Sequence, residues 1–384
     1  MIIILSKIFQ QNKPPLPESL LNIKKALKKK AGAPNDKIEP TPDEKSLIQR
    51  IYDRTSLLNK NNITRTKAYL DFYNRFPEIH WAFLAHMVSR NGGWNMTDLK
   101  GSFLARLLTK KEAASFFAFL ERGNWLIFQD AFPQFLIYEE SLKGGKNLFH
   151  LLPHLHISSF MEPIWNHFLY HHDPYILTMA LVINEQSYLE ERVLKHPAFK
   201  KNVFNTLEFM LQDFLSMNHI LFPYIENGKL KLIGQTLHHF EILHERILLG
   251  KRLYAVLFGN NERYLLVKKW ADEHPHTGSR KDYWPQMFND INEGVPGTLL
   301  NPSIKFCKLA PGASKLYSPS LEFAWENKVH QPAEPGDWFK DWRVVQYLTA
   351  TNENVDEEIK NDYCKTLERL ELAAITKKAI FLRD

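Results

Sequence analysis

The chain has 384 residues, of which 44% are hydrophobic and 13% aromatic. This composition excludes a disordered or fibrous protein, and the length allows two ordinary domains or one large one. The formal net charge of +6 lies in residues 1–37, where eight lysines accompany two acidic residues, while the remainder carries 41 basic and 41 acidic side chains. Because phosphate binding needs clustered cations, this neutral body argues against nucleic acid as a partner.

Residues 1–42 are interpreted as a basic arm in front of the folded body. Within the arm, residues 18–31 predict a helix with Leu20, Ile23 and Leu27 on one stripe and lysines on the opposite face. Two interpretations stay open: a flexible solvated leader, or a basic amphipathic helix that contacts an anionic membrane surface.

Cysteine content and hydropathy indicate the cellular compartment of the protein. Cys307 and Cys364 are too few for a disulfide framework, which is typical of a reducing compartment. No apolar run approaches the roughly 20 residues that a membrane-spanning helix needs. The apolar opening at residues 1–5 is too short for a secretory signal. We therefore expect a cytoplasmic protein, with peripheral membrane contact through the arm as the alternative.

From residue 43 to residue 384 the pattern predicts one large all-α domain. Residues 43–273 repeat apolar side chains with helical periodicity, and they lack the sustained alternation that half-buried strands show. Residues 274–340 combine prolines and glycines with large aromatic side chains, which predicts an ordered, loop-rich segment packed on the helices. Residues 341–384 are expected to close the domain as helices. Short breaks between helices are expected at Gly92-Gly93, Gly123-Asn124 and Asn227-Gly228.

Residues 62–101 mix apolar helix formers with many polar groups that are costly to bury. Arg65 lies in the middle of an apolar helical face, and His86 and Arg90 share a stripe at i, i+4. A buried guanidinium needs an anionic or carbonyl partner, because leaving it unpaired costs several kcal/mol. The candidate ligand-binding residues of this stretch are Arg65, Glu78, His86, Arg90, Asn91, Trp94, Asn95 and Asp98.

The same stretch carries a predicted helix boundary. One helix is expected to end at Asn91-Gly92 in a left-handed conformation, and another to begin near Asp98. Free backbone N–H groups at that start, together with Arg65, Arg90 and His86, would bind a small anionic ligand. The alternative is a structural network in which acidic side chains of the same stretch neutralise the two arginines.

Two histidine patterns support a rival hypothesis, a metal-dependent or hydrolytic enzyme. Glu241 and His244 have the Glu-x-x-His spacing of di-iron bundles, which also require a second such pair and further glutamates on facing helices. His167 and His171 stand at i, i+4, a spacing that can chelate a metal with a third ligand. In both cases an ordinary hydrogen-bonded or surface histidine is the alternative. Phosphate-loop, dinucleotide-binding and serine-hydrolase motifs are absent from the sequence, which identifies neither a cofactor nor an oligomeric state.

Two motifs carry a resemblance to a known family. Residues 64–69 read Thr-Arg-Thr-Lys-Ala-Tyr, and residues 77–99 begin Pro-Glu-Ile-His-Trp and end Ser-Arg-Asn-Gly-Gly-Trp-Asn-Met-Thr-Asp-Leu. This pattern resembles the YppC-like family of uncharacterised Bacillus-type bacterial proteins, a domain of unknown function. Residues 312–319 and 335–339 fit the same family, so the resemblance covers most of the body. It implies a cytoplasmic bacterial protein without established activity, and it assigns no catalytic residue.

Overall fold

The computed structural model describes residues 17–31, 39–195, 218–237, 239–293, 302–349 and 357–381. Most of these residues are helical, and the helices surround one apolar core. In chain order the helices are α1 (Glu18–Ala31), α2 (Pro42–Leu58), α3 (Asn62–Arg75), α4 (His80–Asp98), α5 (Leu104–Leu107), α6 (Lys110–Gly144), α7 (Met161–His171), α8 (Pro174–Leu189), α9 (Leu243–Phe258), α10 (Asn261–Glu273), α11 (Leu321–Ala324) and α12 (Lys360–Phe381). Short 3-10 or π helices occupy Phe149–Leu155, Glu190–Leu194, Arg280–Asp282 and Trp342–Leu348.

The centre of the fold is formed by α3, α4, α6 and α8. Large aromatic side chains dominate their contacts: Phe72 stacks on Phe135 at a centroid distance of 4.9 Å, and Tyr69 meets Trp81 edge to face at 5.5 Å. Each such pair contributes about 0.5–1.5 kcal/mol beyond the area it buries. Because α4 and α8 are buried on nearly every face, their polar side chains must find partners inside the protein.

Helix α4 is continuous through Gly92-Gly93, so the predicted break there is wrong, and α4 ends at Asp98 where a new helix was expected to begin. The glycines permit close helix packing: a Cβ on Gly93 would lie 2.4 Å from both Asn62 Oδ1 and His276 Nε2. Helix α6 likewise runs on through the break predicted in its middle. The helix start that was expected to offer free N–H groups to an anion therefore does not form near Asp98.

The all-α prediction is also too narrow. Residues 219–236 form an antiparallel hairpin of β1 (His219–Glu226) and β2 (Lys229–Thr236). Asn227 and Gly228 have φ of 50° and 71°, the left-handed pair that a two-residue hairpin turn requires. Strand β1 is buried on both faces over most of its length, so it lacks the alternation that sequence analysis requires of a strand. Two-residue strands add small ladders: β3 (Phe288–Asn289) with β6 (Leu316–Tyr317), and β4 (Ile304–Lys305) with β5 (Lys308–Leu309).

The hairpin is held to the helices through its backbone. Asn91 Nδ2 donates to the Leu221 carbonyl at 2.9 Å, and the Leu221 N–H donates to Asn91 Oδ1 at 2.8 Å. On the other side of the ribbon, the Gly234 N–H donates to the Glu357 carbonyl at 2.9 Å. Both outer edges therefore have partners at the middle of the hairpin.

Helix α1 has the predicted amphipathic character. Its apolar stripe packs against α7 and the turn at Trp342–Leu348, and Lys28 Nζ lies 4.4 Å from the centre of the Trp342 ring. Contact of α1 with an anionic membrane surface stays a prediction, and it would require the stripe to leave the body. Among the described helices, none combines the length and apolarity needed to cross a bilayer. The stripe residues, each at most 2% exposed, are Leu20, Ile23 and Leu27.

The described part of residues 274–340 consists mainly of turns and very short strands, and tryptophans fix it to the helices. Trp325 stacks on Phe117 with 4.2 Å between ring centroids. Trp338 Nε1 donates to Asn184 Oδ1 in α8 at 2.9 Å. This segment therefore covers the helical body and forms part of the walls of its cavities.

Cys307 and Cys364 form a disulfide, with 5.3 Å between their Cα atoms. The bond ties the turn between β4 and β5 to α12. The sequence analysis interpreted two cysteines as typical of a reducing compartment and did not pair them. Their separation of 57 positions gave no sign that folding brings them together.

Candidate functional site

Arg65 is buried in α3 and forms an ion pair with Glu121 of α6. Its side chain is 1% exposed, Nη2 donates to Glu121 Oε2 at 2.5 Å, and Nη1 donates to Asn59 Oδ1 at 3.2 Å. Glu121 is buried as well, so each partner neutralises a charge that would otherwise be costly. The Nε–H of Arg65 has no hydrogen-bond partner among the described residues.

Arg90 and His86 form a second, separate network on α4. His86 Nδ1 lies 2.8 Å from the Thr66 carbonyl, which makes Nδ1 the protonated nitrogen, and Nε2 accepts from Arg90 Nε at 3.0 Å. Burial lowers the pKa of His86 well below its usual value, and the Arg90 charge adds to this shift. Arg90 Nη2 donates to the carbonyls of Ala271 and His274. Both ring nitrogens of His86 are thus occupied, which argues against a role in proton transfer.

Asp98 and Asn95 hold a third arginine, Arg280. Asp98 accepts two hydrogen bonds from Arg280 Nε and one from Nη2 at 2.6–2.9 Å, and Asn95 Oδ1 accepts from Nη2 at 3.2 Å. The buried charge of Arg280 is therefore neutralised by Asp98 and not by a ligand. The remaining candidates also have partners within the protein. Glu78 accepts from Tyr138 Oη at 2.8 Å, and Trp94 Nε1 donates to Asp282 Oδ2 at 3.4 Å. Asn91 bonds to the Leu221 backbone.

The structure therefore divides the eight predicted residues among separate networks. One of them, Arg65, lines a cavity of about 120 Å³ that we call the inner cavity. It lies among α3, α4, α6, α8, α9 and β1. Its polar wall residues are Arg65, Ser89, Asn124, Glu185, Gln186 and Arg246, and its other wall residues are Tyr69, Trp81, Leu84, Ala85, Val88, Ile127, Val182, Ile220, Leu249, Gly250 and Leu253.

Glu185 is the carboxyl group of this wall. Burial raises its pKa to about 8, and the nearby carboxyl of Asp130 adds to the rise. Glu185 Oε1 accepts from Gln186 Nε2 at 3.2 Å. At neutral pH the carboxyl is therefore mostly protonated and can donate an O–H to a ligand.

Arg246 brings a second guanidinium to the inner cavity. Each of its three nitrogens already donates one hydrogen bond: Nε to Gln186 Oε1 at 3.0 Å, Nη1 to the Phe240 carbonyl at 2.6 Å and Nη2 to Glu190 Oε2 at 2.7 Å. Arg246 thus fixes the wall and supplies positive potential. Arg65 has an unpartnered Nε–H and Glu185 a protonated carboxyl, so these two side chains are the candidate donors of the wall.

The proposed metal ligands do not converge. The rings of His167 and His171 stack at a centroid distance of 4.2 Å, and burial lowers the pKa of His167. Glu241 lies in the turn before α9, so it does not share a helical face with His244, whose Nδ1 is 2.8 Å from Tyr347 Oη. Within the ranges that the structure describes, no three His, Cys, Asp or Glu residues are placed to hold a metal ion.

Sequence reasoning did not identify Glu185, Gln186 or Arg246. A signal was present, because Glu185 and Gln186 follow the apolar run of residues 176–183 and Arg246 precedes another apolar run. Arg246 is buried and Glu185 and Gln186 are half-buried, so all three are polar groups on largely apolar helices, the criterion that selected Arg65. Their convergence depends on the packing of α8 against α9, which no local pattern encodes.

Comparison with known proteins gives the family. The model described as "Protein of unknown function (DUF2515)" matches residues 57–364. The chain belongs to this family. It is similar to "Uncharacterized protein YppC" of Bacillus subtilis (strain 168), with 44% identity over 238 residues, 62% of this chain and 73% of the relative. The YppC-like resemblance is thereby confirmed. No solved structure matches the chain.

Proposed function

We propose that this protein binds a small monoanion, a short-chain carboxylate, in the inner cavity. The observation that carries the proposal is the Nε–H of Arg65, which is buried and has no partner among the described residues although Arg65 lines the cavity. A buried charged donor without an acceptor is costly, so a ligand that accepts from it gains free energy. Glu185 of α8 supplies a second donor while it stays protonated.

The size and lining of the inner cavity define the ligand class. Its volume of about 120 Å³ is close to the roughly 150 Å³ that accommodates benzene, so the ligand has about six non-hydrogen atoms. The wall away from the two donors is largely apolar, with Leu84, Val88 and Val182 among its residues. A compact aliphatic body with one carboxylate fits this combination.

Charge favours a monoanion over a dianion such as phosphate. Arg65 is already paired with Glu121, and Arg246 with Glu190. The ligand therefore gains from hydrogen bonds to pre-oriented donors more than from net positive charge. A second negative charge would have no cation of its own to pair with.

The first test uses isobutyrate and its neutral isostere isobutyramide in thermal-shift and calorimetric titrations of the full chain. We expect isobutyrate to raise the melting temperature more than isobutyramide does, because hydrogen bonds to a charged acceptor are roughly twice as strong as those to a neutral one. Ala85→Leu fills the inner cavity and should abolish the response, whereas Ala114→Leu, at an exposed position of α6, should preserve it. A response retained in Ala85→Leu, or none in the wild type, overturns the proposal.

A second test uses the proton on Glu185. Above pH 8 the carboxyl ionises and repels the ligand, so affinity should fall about tenfold per pH unit there. Glu185→Gln keeps a donor that cannot ionise, and its affinity should stay level through the same range. If wild type and variant change alike, the assignment of Glu185 fails. The other titratable or charged groups around this carboxyl are Asp130, Tyr69, Arg65 and Arg246.

A further inference from the structure

A larger cavity of about 780 Å³, which we call the outer cleft, lies between α2, α6, the turn at Phe149–Leu155, the end of α8 and a strap formed by residues 330–338. Its volume is in the range of sites for drug-sized ligands. The inner cavity shares none of its wall residues. The outer cleft is therefore a separate candidate site.

Aromatic rings form much of the wall of the outer cleft. Tyr52 comes from α2, Trp125 from α6, Tyr188 from α8 and Trp338 from the strap. Their positions are fixed by contacts outside the cleft, such as the 2.9 Å hydrogen bond from Tyr52 Oη to a backbone carbonyl. The negative faces of such rings attract cations, by about 0.5–2 kcal/mol per contact. Arg192 already lies over one face of Tyr188 and Arg122 over one face of Trp125, so a ligand cation would use the other faces of these two rings.

Carboxyl groups outnumber permanently charged cations in the wall of the outer cleft, which also carries His156 and His330. Asp130, Glu334 and Asp337 line the outer cleft together with a single guanidinium, that of Arg192. Arg192 is engaged by the strap: Nη2 donates to the Gly336 carbonyl at 2.5 Å and Nε donates to the Glu334 carbonyl at 3.2 Å. The lining therefore favours a cationic ligand over an anionic one.

Asp130 is the carboxyl group with an acceptor to spare. The residue is 5% exposed, Oδ2 accepts from Gln134 Nε2 at 3.0 Å and from Asn184 Nδ2, and Oδ1 has no partner in the described part of the chain. Asp337 differs, because its Oδ2 already accepts from the Ser159 hydroxyl at 2.6 Å and the Ser159 N–H at 2.8 Å. A ligand cation would complete the hydrogen bonding of Asp130.

We propose that the outer cleft binds an organic ammonium ion, with its charged group against Asp130 and its body against the aromatic walls. The ammonium N–H groups supply the donor that Oδ1 lacks, and the ring faces stabilise the same charge. The two cavities share no wall residue, although the Asp130 carboxyl acts electrostatically on Glu185 of the inner cavity. The ligand proposed here is larger than the one proposed for the inner cavity and of opposite charge.

The test compares three ligands with one skeleton and different charges: 2-phenylethylammonium, 2-phenylethanol and phenylacetate. In calorimetric titrations of the full chain at about pH 8, where the Asp130 carboxyl, whose pKa burial raises to about 7, is mostly ionised, the ammonium ion should bind about tenfold tighter than the alcohol, and phenylacetate most weakly. Asp130→Asn should remove most of the preference for the ammonium ion over the alcohol, and the ring faces should retain the rest. Asp71→Asn, a matched change at an exposed position of α3, should leave all three affinities unchanged.

A second variant tests the proposal independently if Asp130→Asn fails to fold. Trp125→Leu removes one aromatic wall and should weaken binding of the ammonium ion more than binding of the alcohol. The proposal is overturned if no ligand binds at millimolar concentration or if the ammonium ion binds no tighter than the alcohol. It is equally overturned if a folded Asp130→Asn protein binds all three ligands as the wild type does.

Discussion

Gly93 of α4 and Asn62 of α3 approach so closely that a Cβ on the glycine would lie 2.4 Å from Asn62 Oδ1. The same oxygen is 2.8 Å from His276 Nε2, and Asn62 Nδ2 donates to the Ser89 carbonyl at 2.9 Å. One asparagine thus joins α3, α4 and the loop after α10. The missing side chain at position 93 makes room for all three contacts.

We expect Gly93→Ala to destabilise the protein by about 2–3 kcal/mol, since the methyl group must displace Asn62 or His276. Gly123→Ala is the matched control, because a Cβ there meets only Leu189 Cδ2 at an ordinary 3.9 Å. That change should stabilise the protein by about 0.5–1 kcal/mol, the usual benefit of alanine over glycine inside a helix. Urea unfolding of both variants measures the difference, and equal effects would contradict the packing argument.

The buried pair of Arg65 and Glu121 should behave as a unit. Either single variant, Arg65→Met or Glu121→Leu, leaves the other charge uncompensated, so we expect each to lose about 3–5 kcal/mol in the free energy of unfolding. The double variant Arg65→Met with Glu121→Leu removes both charges, so its free energy of unfolding should fall much less. Denaturant unfolding of the two single variants and the double variant gives the coupling energy. Strict additivity would show that the pair does not couple.

Asp130 should make stability depend on pH. Burial raises its pKa from 3.8 to about 7, so the folded state holds the proton more tightly than the unfolded state. Stability contributed by that proton is present at low pH and is lost as pH rises from about 4 to about 7. Asp130→Asn removes this loss. We therefore expect the free energy of unfolding of the variant to exceed that of the wild type by about 2–4 kcal/mol at about pH 8.

The same comparison at about pH 4 is the internal control, because the aspartic acid is then largely neutral in the folded state and the advantage of the asparagine should be small. Urea unfolding at both pH values measures it. An advantage of the same size at both pH values would mean that packing, and not ionisation, distinguishes the variant.

The disulfide between Cys307 and Cys364 should stabilise the fold by restricting the unfolded chain. For the 57-position separation, loop-closure entropy predicts a contribution of about 4 kcal/mol. Cys364→Ser, or a reductant in the denaturation buffer, should therefore lower the free energy of unfolding by that amount. Two reactive thiols in the native, non-reduced protein would contradict the pairing.

Local patterns predicted what depends on neighbours along the chain. The stripe of α1 packs as its periodicity indicates, and Arg65 is buried as its place on an apolar helical face requires. The need of Arg65 for an acidic partner followed from elementary electrostatics. The identity of that acidic partner could not be predicted, because Glu121 lies 56 residues further along the chain.

The errors arose where tertiary contacts override local preference. Gly92-Gly93 reads as a helix end, yet the close approach of Asn62 makes these glycines part of a continuous helix. Asn227-Gly228 is a strong hairpin signal, and it was missed because β1 is buried on both faces. Glu185 and Arg246 meet only through helix packing, so the inner cavity could not be assembled from the sequence.

The side-chain amide of Asn91 determines how the β1–β2 hairpin is positioned on α4. By engaging both the N–H and the C=O of Leu221, this helix side chain stands in for a neighbouring peptide group and sets the position of β1 along α4. A slip by one residue would present the opposite face of the strand and leave the amide facing groups turned away from it. A helix side chain therefore helps to set the register of the strand, which turns and apolar contacts set in most hairpins.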